Sequence, residues 1–259
     1  MAGNVHEFTI GEFKGLVRDQ LTDIQRGNDQ VAADFARDVR ATESPKIERD
    51  GSSHCPDGSF KHKDATELGV ILEVSHSQKR QDLPFLADNY ILGSNGLTQA
   101  VIGIDLDYWG KGARVIVWRL NKTKKNGEII LTVKETFQGT FRDADGNLVN
   151  GGQNLRIWSK DFGNKLDCPG IQKVQGAITI SFTQLYELVQ ESEANDQTLK
   201  RRRGSDEVFE GRSKQKMVKK KRVRPSPEEL ASSDEERFKA AEKEVEKQLS
   251  DQDRDYIPE

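Results

Sequence analysis

The sequence predicts an α/β domain, a mixed sheet flanked by helices, over residues 1–193. Three observations carry this. Segments with helical apolar period alternate with short apolar strand runs. Large apolar side chains become rare after about Glu193. Charge is partitioned along the chain: residues 200–224 hold 12 Lys+Arg against 3 Asp+Glu, and residues 225–259 hold 5 against 12. The remaining 199 residues are net −5. The whole chain of 259 residues therefore has a net charge of only −3, which conceals a basic block followed by an acidic one.

The elements follow in order. Phe13, Leu16, Val17, Leu21 and Ile24 recur at helical steps. After the Gly27-Asn28 break, Val31, Phe35 and Val39 repeat every four residues. Ser44-Pro45 ends helix and begins extended chain. Short strands are expected at 46–50 and from Ser52 toward Asp57, and an apolar strand at 68–75. Residues 79–92 read as helix, with Pro84 marking its first turn. Strands follow at 98–108 and 113–120, joined by the turn-prone Trp109-Gly110-Lys111-Gly112. Another strand spans 129–141, a short one 155–158, and Ser181 is placed to cap a closing helix through Val189.

Residues 194–227 read as a disordered basic linker, too charged and too poor in large apolar groups to build a core. Residues 228–259 read as an acidic, partly helical tail. Ser226, Pro227 and Glu229 stand at N-cap, N1 and N3 of a helix. Its thin stripe of Leu230, Phe238, Ala241, Val245 and Leu249 reads as a solvated, partly formed helix or, alternatively, as a docking helix for a protein partner.

Several function classes fall away. No apolar run approaches the roughly 20 residues of a membrane-spanning helix. The N-terminus lacks a secretory pattern, so an intracellular protein is expected. Cys55 and Cys168, the only cysteines, exclude a disulfide framework and a multi-thiolate zinc cluster. Gly110-Lys111-Gly112 lacks the spacing of a phosphate loop, and Asp143 to Asn147 reads as a hairpin turn rather than a calcium loop. His54, His62 and His76 do not have metal-ligand spacing on one helix. Asp105 and Asp107 share a strand face in a DxD pattern, which at a solvent-facing strand end is ordinarily without function.

Glu73 is the most informative residue. It interrupts the run Leu68 to Ser75, and alternation puts it with Ile71 and Ser75 on one face, opposite Val70, Leu72 and Val74. A carboxylate among such neighbours is costly unless compensated. Two explanations stand: an edge position open to water, or a hard divalent cation such as magnesium or manganese. Asp57, following Pro56 on the preceding strand, can face the same cation across a hairpin. Asp57-Gly58 also reads as a plain turn.

Pro56-Asp57 followed by Glu73-Val74-Ser75 in an apolar strand resembles the PD-(D/E)XK, or restriction-endonuclease-like, nuclease superfamily. The order helix, three strands, helix, strand is similar to its core. More narrowly, PDGSF, VILEVSHSQKRQDLPFLADNYILGS, VIGIDLDY and VIVWR resemble uncharacterised fungal proteins related to that superfamily, over roughly residues 30–160. The resemblance implies a restriction-endonuclease-like fold, a Mg2+ or Mn2+ cofactor held by Asp57 and Glu73, and phosphodiester hydrolysis on nucleic acid. It also implies a lysine two residues after the acid, where this chain has Ser75. Gln78 in neutral form, or Lys79 reaching back, is then the candidate replacement; a catalytically inactive nuclease-fold protein that binds nucleic acid or protein is the alternative. Glu43 and Glu48 are further acidic candidates, more simply surface charges.

Lys200, Arg201, Arg202 and Arg203, and then Lys219, Lys220, Lys221 and Arg222, form two basic clusters. Runs of this kind suit a nuclear import receptor or the phosphates of nucleic acid. A nuclear location is expected on that basis, and otherwise a cytoplasmic one.

Overall fold

A computed structural model of the chain describes residues 4–42, 45–49, 52–76, 82–107, 110–165 and 168–205. Contacts divide the chain into Met1–Val208 and Phe209–Glu259. The second unit, with the expected acidic tail, lies outside the described residues.

The apolar run singled out in the sequence becomes β5 (Val70–His76), the third strand of a six-stranded sheet. Its neighbours are β4 (Gly58–His62) and β6 (Ala100–Leu106), and the sheet order is β1-β4-β5-β6-β7-β8. Here β1 is Val39–Thr42, β7 is Ala113–Lys125 and β8 is Glu128–Arg142. Every pairing is antiparallel except β5–β6, which is parallel and joined by the crossover helix α3 (Leu83–Gly93). Helices α1 (Asn4–Gln25), α2 (Gln30–Asp38) and α4 (Phe182–Ser205) complete the domain, with a hairpin of β9 (Asn154–Trp158) and β10 (Ala177–Ser181). A second small hairpin, β2 (Ile47–Arg49) and β3 (Ser52–His54), is inserted between β1 and β4. The fold is mixed α/β. The strands expected at 46–50 and from Ser52 are this separate hairpin, so the three sheet strands before α3 are β1, β4 and β5, of which only β5 lies in an expected run.

Strand alternation divides the core as expected. Val70, Leu72 and Val74 pack with Phe13, Val17, Phe35, Phe182 and Leu185 on the side of α1, α2 and α4. Ile71 packs on the other face with Leu83, Ala87, Tyr90 and Ile91 of α3. A strand buried on both faces needs an unbroken apolar run, and β5 has one apart from Glu73 and Ser75.

Local signals set the helix starts. The Asp29 carboxylate accepts the Val31 and Ala32 N–H groups and caps α2. Ser181 Oγ accepts the Gln184 N–H at 3.1 Å while Gln184 Oε1 accepts the Ser181 N–H at 2.9 Å, a reciprocal capping box for α4.

Several boundaries differ from the expectation, among them the end of β7, which runs five residues past Leu120 to Lys125. Val39, which fits the helical period of α2, begins β1 instead, paired with His62. It is buried in either role, so apolar spacing does not distinguish them. β10, a β-branched run, pairs with β9 where no strand is expected. Helix α4 continues to Ser205, twelve residues past Glu193. Buried Asp196 anchors that extension: it accepts Asn4 Nδ2 of α1 at 2.9 Å and pairs with Lys200 at 2.6 Å. Contact with α1 thus supplies burial that local composition does not advertise.

Candidate functional site

Asp57 directly precedes β4, whose register pairs Gly58 with Leu72. Extending that register by one residue sets Asp57 opposite Glu73. The Val74 N–H donates to Asp57 Oδ2 at 2.8 Å, which ties the Asp57 carboxylate to the β5 backbone next to Glu73. β4 and β5 are antiparallel neighbours, as the hairpin expectation requires, but Asp57 lies one residue outside β4 rather than on a strand.

Glu73 is only 8% exposed and lies on an interior strand, so the edge-position explanation for it fails. Its charge is met within the protein by Tyr90, whose hydroxyl donates to Glu73 Oε1 at 2.7 Å. Burial, and then the Glu73 charge, push the Tyr90 phenol far above its ordinary value, so it remains a protonated donor. The His54 ring stands edge-on to Tyr90 at 6.0 Å. On the Asp57 side, His6 Nε2 lies 3.1 Å from Asp57 Oδ2, and His6 Nδ1 lies 3.3 Å from Glu7 Oε1. The hydrogen bond to Asp57 raises the His6 pKa above the usual value, against the opposing effect of burial.

The donor chemistry suits a hard cation. Magnesium binds through one or two carboxylates and keeps several waters. Asp57 and Glu73 are two carboxylates of the kind such an ion would use, and each accepts a hydrogen bond within the protein. Among the described residues no group of three or more His, Cys, Asp and Glu gathers around a common point.

At Ser75 the hydroxyl is committed elsewhere. It donates to Asp105 Oδ1 at 2.9 Å, and Asp105 Oδ2 accepts Arg114 Nε at 2.9 Å. These three residues are register partners across β5, β6 and β7. The expectation of a solvent-facing Asp105 is thereby corrected: it is 6% exposed and part of a cross-strand ion pair. Gln78 and Lys79 lie outside the described residues, as do Glu43 and the His76 side chain. Glu48 is exposed and paired with Lys46.

The remaining candidates disperse. His62 stacks on Phe35 and lies 3.8 Å from Cys168 Sγ, away from His54. Asp143 Oδ1 accepts the Asp145 and Asn147 N–H groups, the turn expected there. A cavity of about 270 Å³ lies between the β6–β7 turn and the loop after β8, lined by Asp105, Asp107, Arg114, Thr140, Arg142 and Asp143. Its charges are largely satisfied within the protein: Arg114 by Asp105, and Arg142 by Glu193 at 2.9 Å. In the basic clusters, Lys200 and Arg201 fall in the last turns of α4, and the side chains of Arg202 and Arg203 are outside the described residues. Lys219, Lys220, Lys221 and Arg222 lie wholly outside them.

Sequence reasoning missed His6 and Tyr90. Both had a signal. His6 stands four and seven residues before Ile10 and Phe13, on the buried stripe of α1. Tyr90 follows Leu83 and Ala87 on the buried stripe of α3. A tyrosine in such a stripe needs a partner for its hydroxyl, and a buried carboxylate needs a donor.

No helix among the described residues is long and apolar enough to cross a membrane. No family model and no curated protein matches the chain. Among solved structures, the chain is similar to a candidate nuclease belonging to DUF820 from Anabaena variabilis. The identity is 12% and the TM-score 0.37, over 71% of this chain and 82% of that one. A likeness at that score carries no weight for function.

Proposed function

We propose that the chain is a metal-dependent nuclease-like protein that hydrolyses phosphodiester bonds in nucleic acid, with Asp57 and Glu73 as the cation's carboxylates. The observation that carries this reading is the seating of Asp57 against the Val74 N–H, beside buried Glu73. Two carboxylates at neighbouring positions repel each other unless a positive charge or hydrogen-bond donors offset them. A bound magnesium or manganese ion supplies water activation and offsets charge on the phosphate and the leaving oxygen. Tyr90 and His6 hold the two carboxylates in place. Lys79, or Gln78 in neutral form, is proposed to face the phosphate.

One observation favours a second reading. The Ser75 hydroxyl is neutral and spent on Asp105, so it brings no charge to a phosphate. In that case the domain is catalytically inactive and acts as a binding module for nucleic acid or protein.

The test is thermal unfolding with and without millimolar Mn2+, followed by incubation with labelled single- and double-stranded DNA and RNA. A ligand that binds only the folded state raises the melting temperature by mass action. Mn2+ should raise it for the wild type, and Asp57→Asn or Glu73→Gln should abolish the rise. Asp105→Asn should lower the metal-free melting temperature, through loss of the Arg114 pair, and leave the rise intact. No Mn2+-dependent shift in the wild type would remove the shared site; a shift without cleavage would select the binding module.

A further inference from the structure

Beyond the body of the sheet, β7 and β8 continue as a two-stranded arm. β6 pairs with β7 only as far as Arg119, whereas β7 and β8 stay in register from Leu120 and Val133 out to Lys125 and Glu128. That part is six residue pairs, or roughly 17 Å from first to last. Asn126 and Gly127, with φ of 52° and 85°, close it in the tight turn that Asn-Gly favours. A Cβ placed on Gly127 would meet no atom within 4 Å, so that side of the turn is open.

The root of the arm is fixed. Arg119 donates through Nε and Nη2 to Asp161 and through Nη1 to Thr136 Oγ1 at 2.8 Å. Leu120 and Val133 pack against the α3 side of the core. The outer part is different. Lys122, Lys124, Lys125 and Lys134 are exposed, and none takes part in an ion pair among the described residues. Ile129, 70% exposed, sits beside them. Register places Lys122 and Lys124 on one face of the ribbon and Lys125 and Lys134 on the other. Glu128 stands opposite Lys125, which leaves Leu120–Lys134 with four lysines and one glutamate in a region, residues 1–199, that is net −5.

We propose that this arm is a duplex-binding element whose lysines contact the phosphates flanking a groove. The proposal rests on the nucleic-acid reading above. A major groove about 12 Å wide admits a two-stranded ribbon. Lysines on both faces reach the backbones on either side, and the rigid root keeps the ordering cost low. Such contacts are sequence-independent, so the arm sets affinity and register rather than base preference.

The experiment compares the full-length chain with its Lys122→Ala/Lys124→Ala/Lys125→Ala variant. Fluorescence anisotropy on a labelled duplex across a salt series, in EDTA, measures binding without cleavage. Each lost phosphate contact should make the log–log salt dependence shallower by about 0.9, so the triple variant should lose roughly 2.7. Affinity at 0.1 M salt should fall by roughly tenfold or more. All three positions are exposed, so the melting temperature and any Mn2+-induced rise should not move. An unchanged slope and affinity would overturn the arm's role while leaving the Asp57–Glu73 reading to its own metal test. So would a change confined to self-association in sedimentation, which would make a second copy of the chain the occupant.

Discussion

Tyr90 and Glu73 form a buried hydrogen bond between a phenol kept protonated and a carboxylate that has little water around it. Removing the donor should cost about 2 kcal/mol, the usual range for a hydrogen bond to a buried charged group. Tyr90→Phe keeps the ring packed against Leu83, Ala87 and Ile91, so the loss reports the hydroxyl alone. Chemical denaturation should show a lower midpoint at unchanged slope. If Glu73 also holds a cation, its orienting partner matters to affinity, because such outer partners typically contribute 10- to 100-fold. The Mn2+ concentration for half of the melting-temperature rise should then increase by that order in Tyr90→Phe. A stability loss with an unchanged metal midpoint would leave Tyr90 with a structural role only.

At the level of single elements, agreement between local chemistry and fold is closest where a motif is self-contained. The Ser181–Gln184 box is such a motif. It fixes the start of α4, whose Phe182, Leu185, Leu188 and Val189 are all buried in the larger core. Ser181→Ala should destabilise the protein by about 1 kcal/mol, the ordinary cost of an N-cap, and urea unfolding can measure it. Gln184→Ala should recover part of the same loss, since it removes only the reciprocal half. β5 makes the opposite point. Its apolar run is legible, yet its central position came from pairing with β4 and β6, and that position changes the meaning of Glu73 from an edge charge to a buried one.

For the whole molecule, charge separation is the dominant feature of the sequence. The basic clusters suit an import receptor, and the proposed nuclear location follows from them. A bulky fluorescent fusion carrying alanines at Lys200–Arg203 and Lys219–Arg222 should lose nuclear accumulation under microscopy; undiminished accumulation would contradict the assignment. Helix α4 reaches the first cluster, and Asp196 pairs with Lys200, so that cluster begins on a folded surface. Substituting the two clusters separately should therefore distinguish a helical signal from an extended one.

The sequence by itself determined the α/β class, most of the strand and helix positions and the two faces of β5. These depend on periodicity and short-range turn chemistry, which residues a few positions apart already encode. Tertiary structure decided the rest. Long-range contacts brought His6 from α1 and Tyr90 from α3 to the two carboxylates, across 51 and 17 residues of chain. They gave Ser75 and Asp105 a shared ion-pair row, and they extended α4 beyond its local signals. Asn126-Gly127 carries a local turn signal that went unread, and the projection of the arm has no local signal because it depends on where β6 stops pairing with β7. Burial turns an ordinary charge into one that must be matched, and only the packed chain shows which charges are buried and which donors meet them.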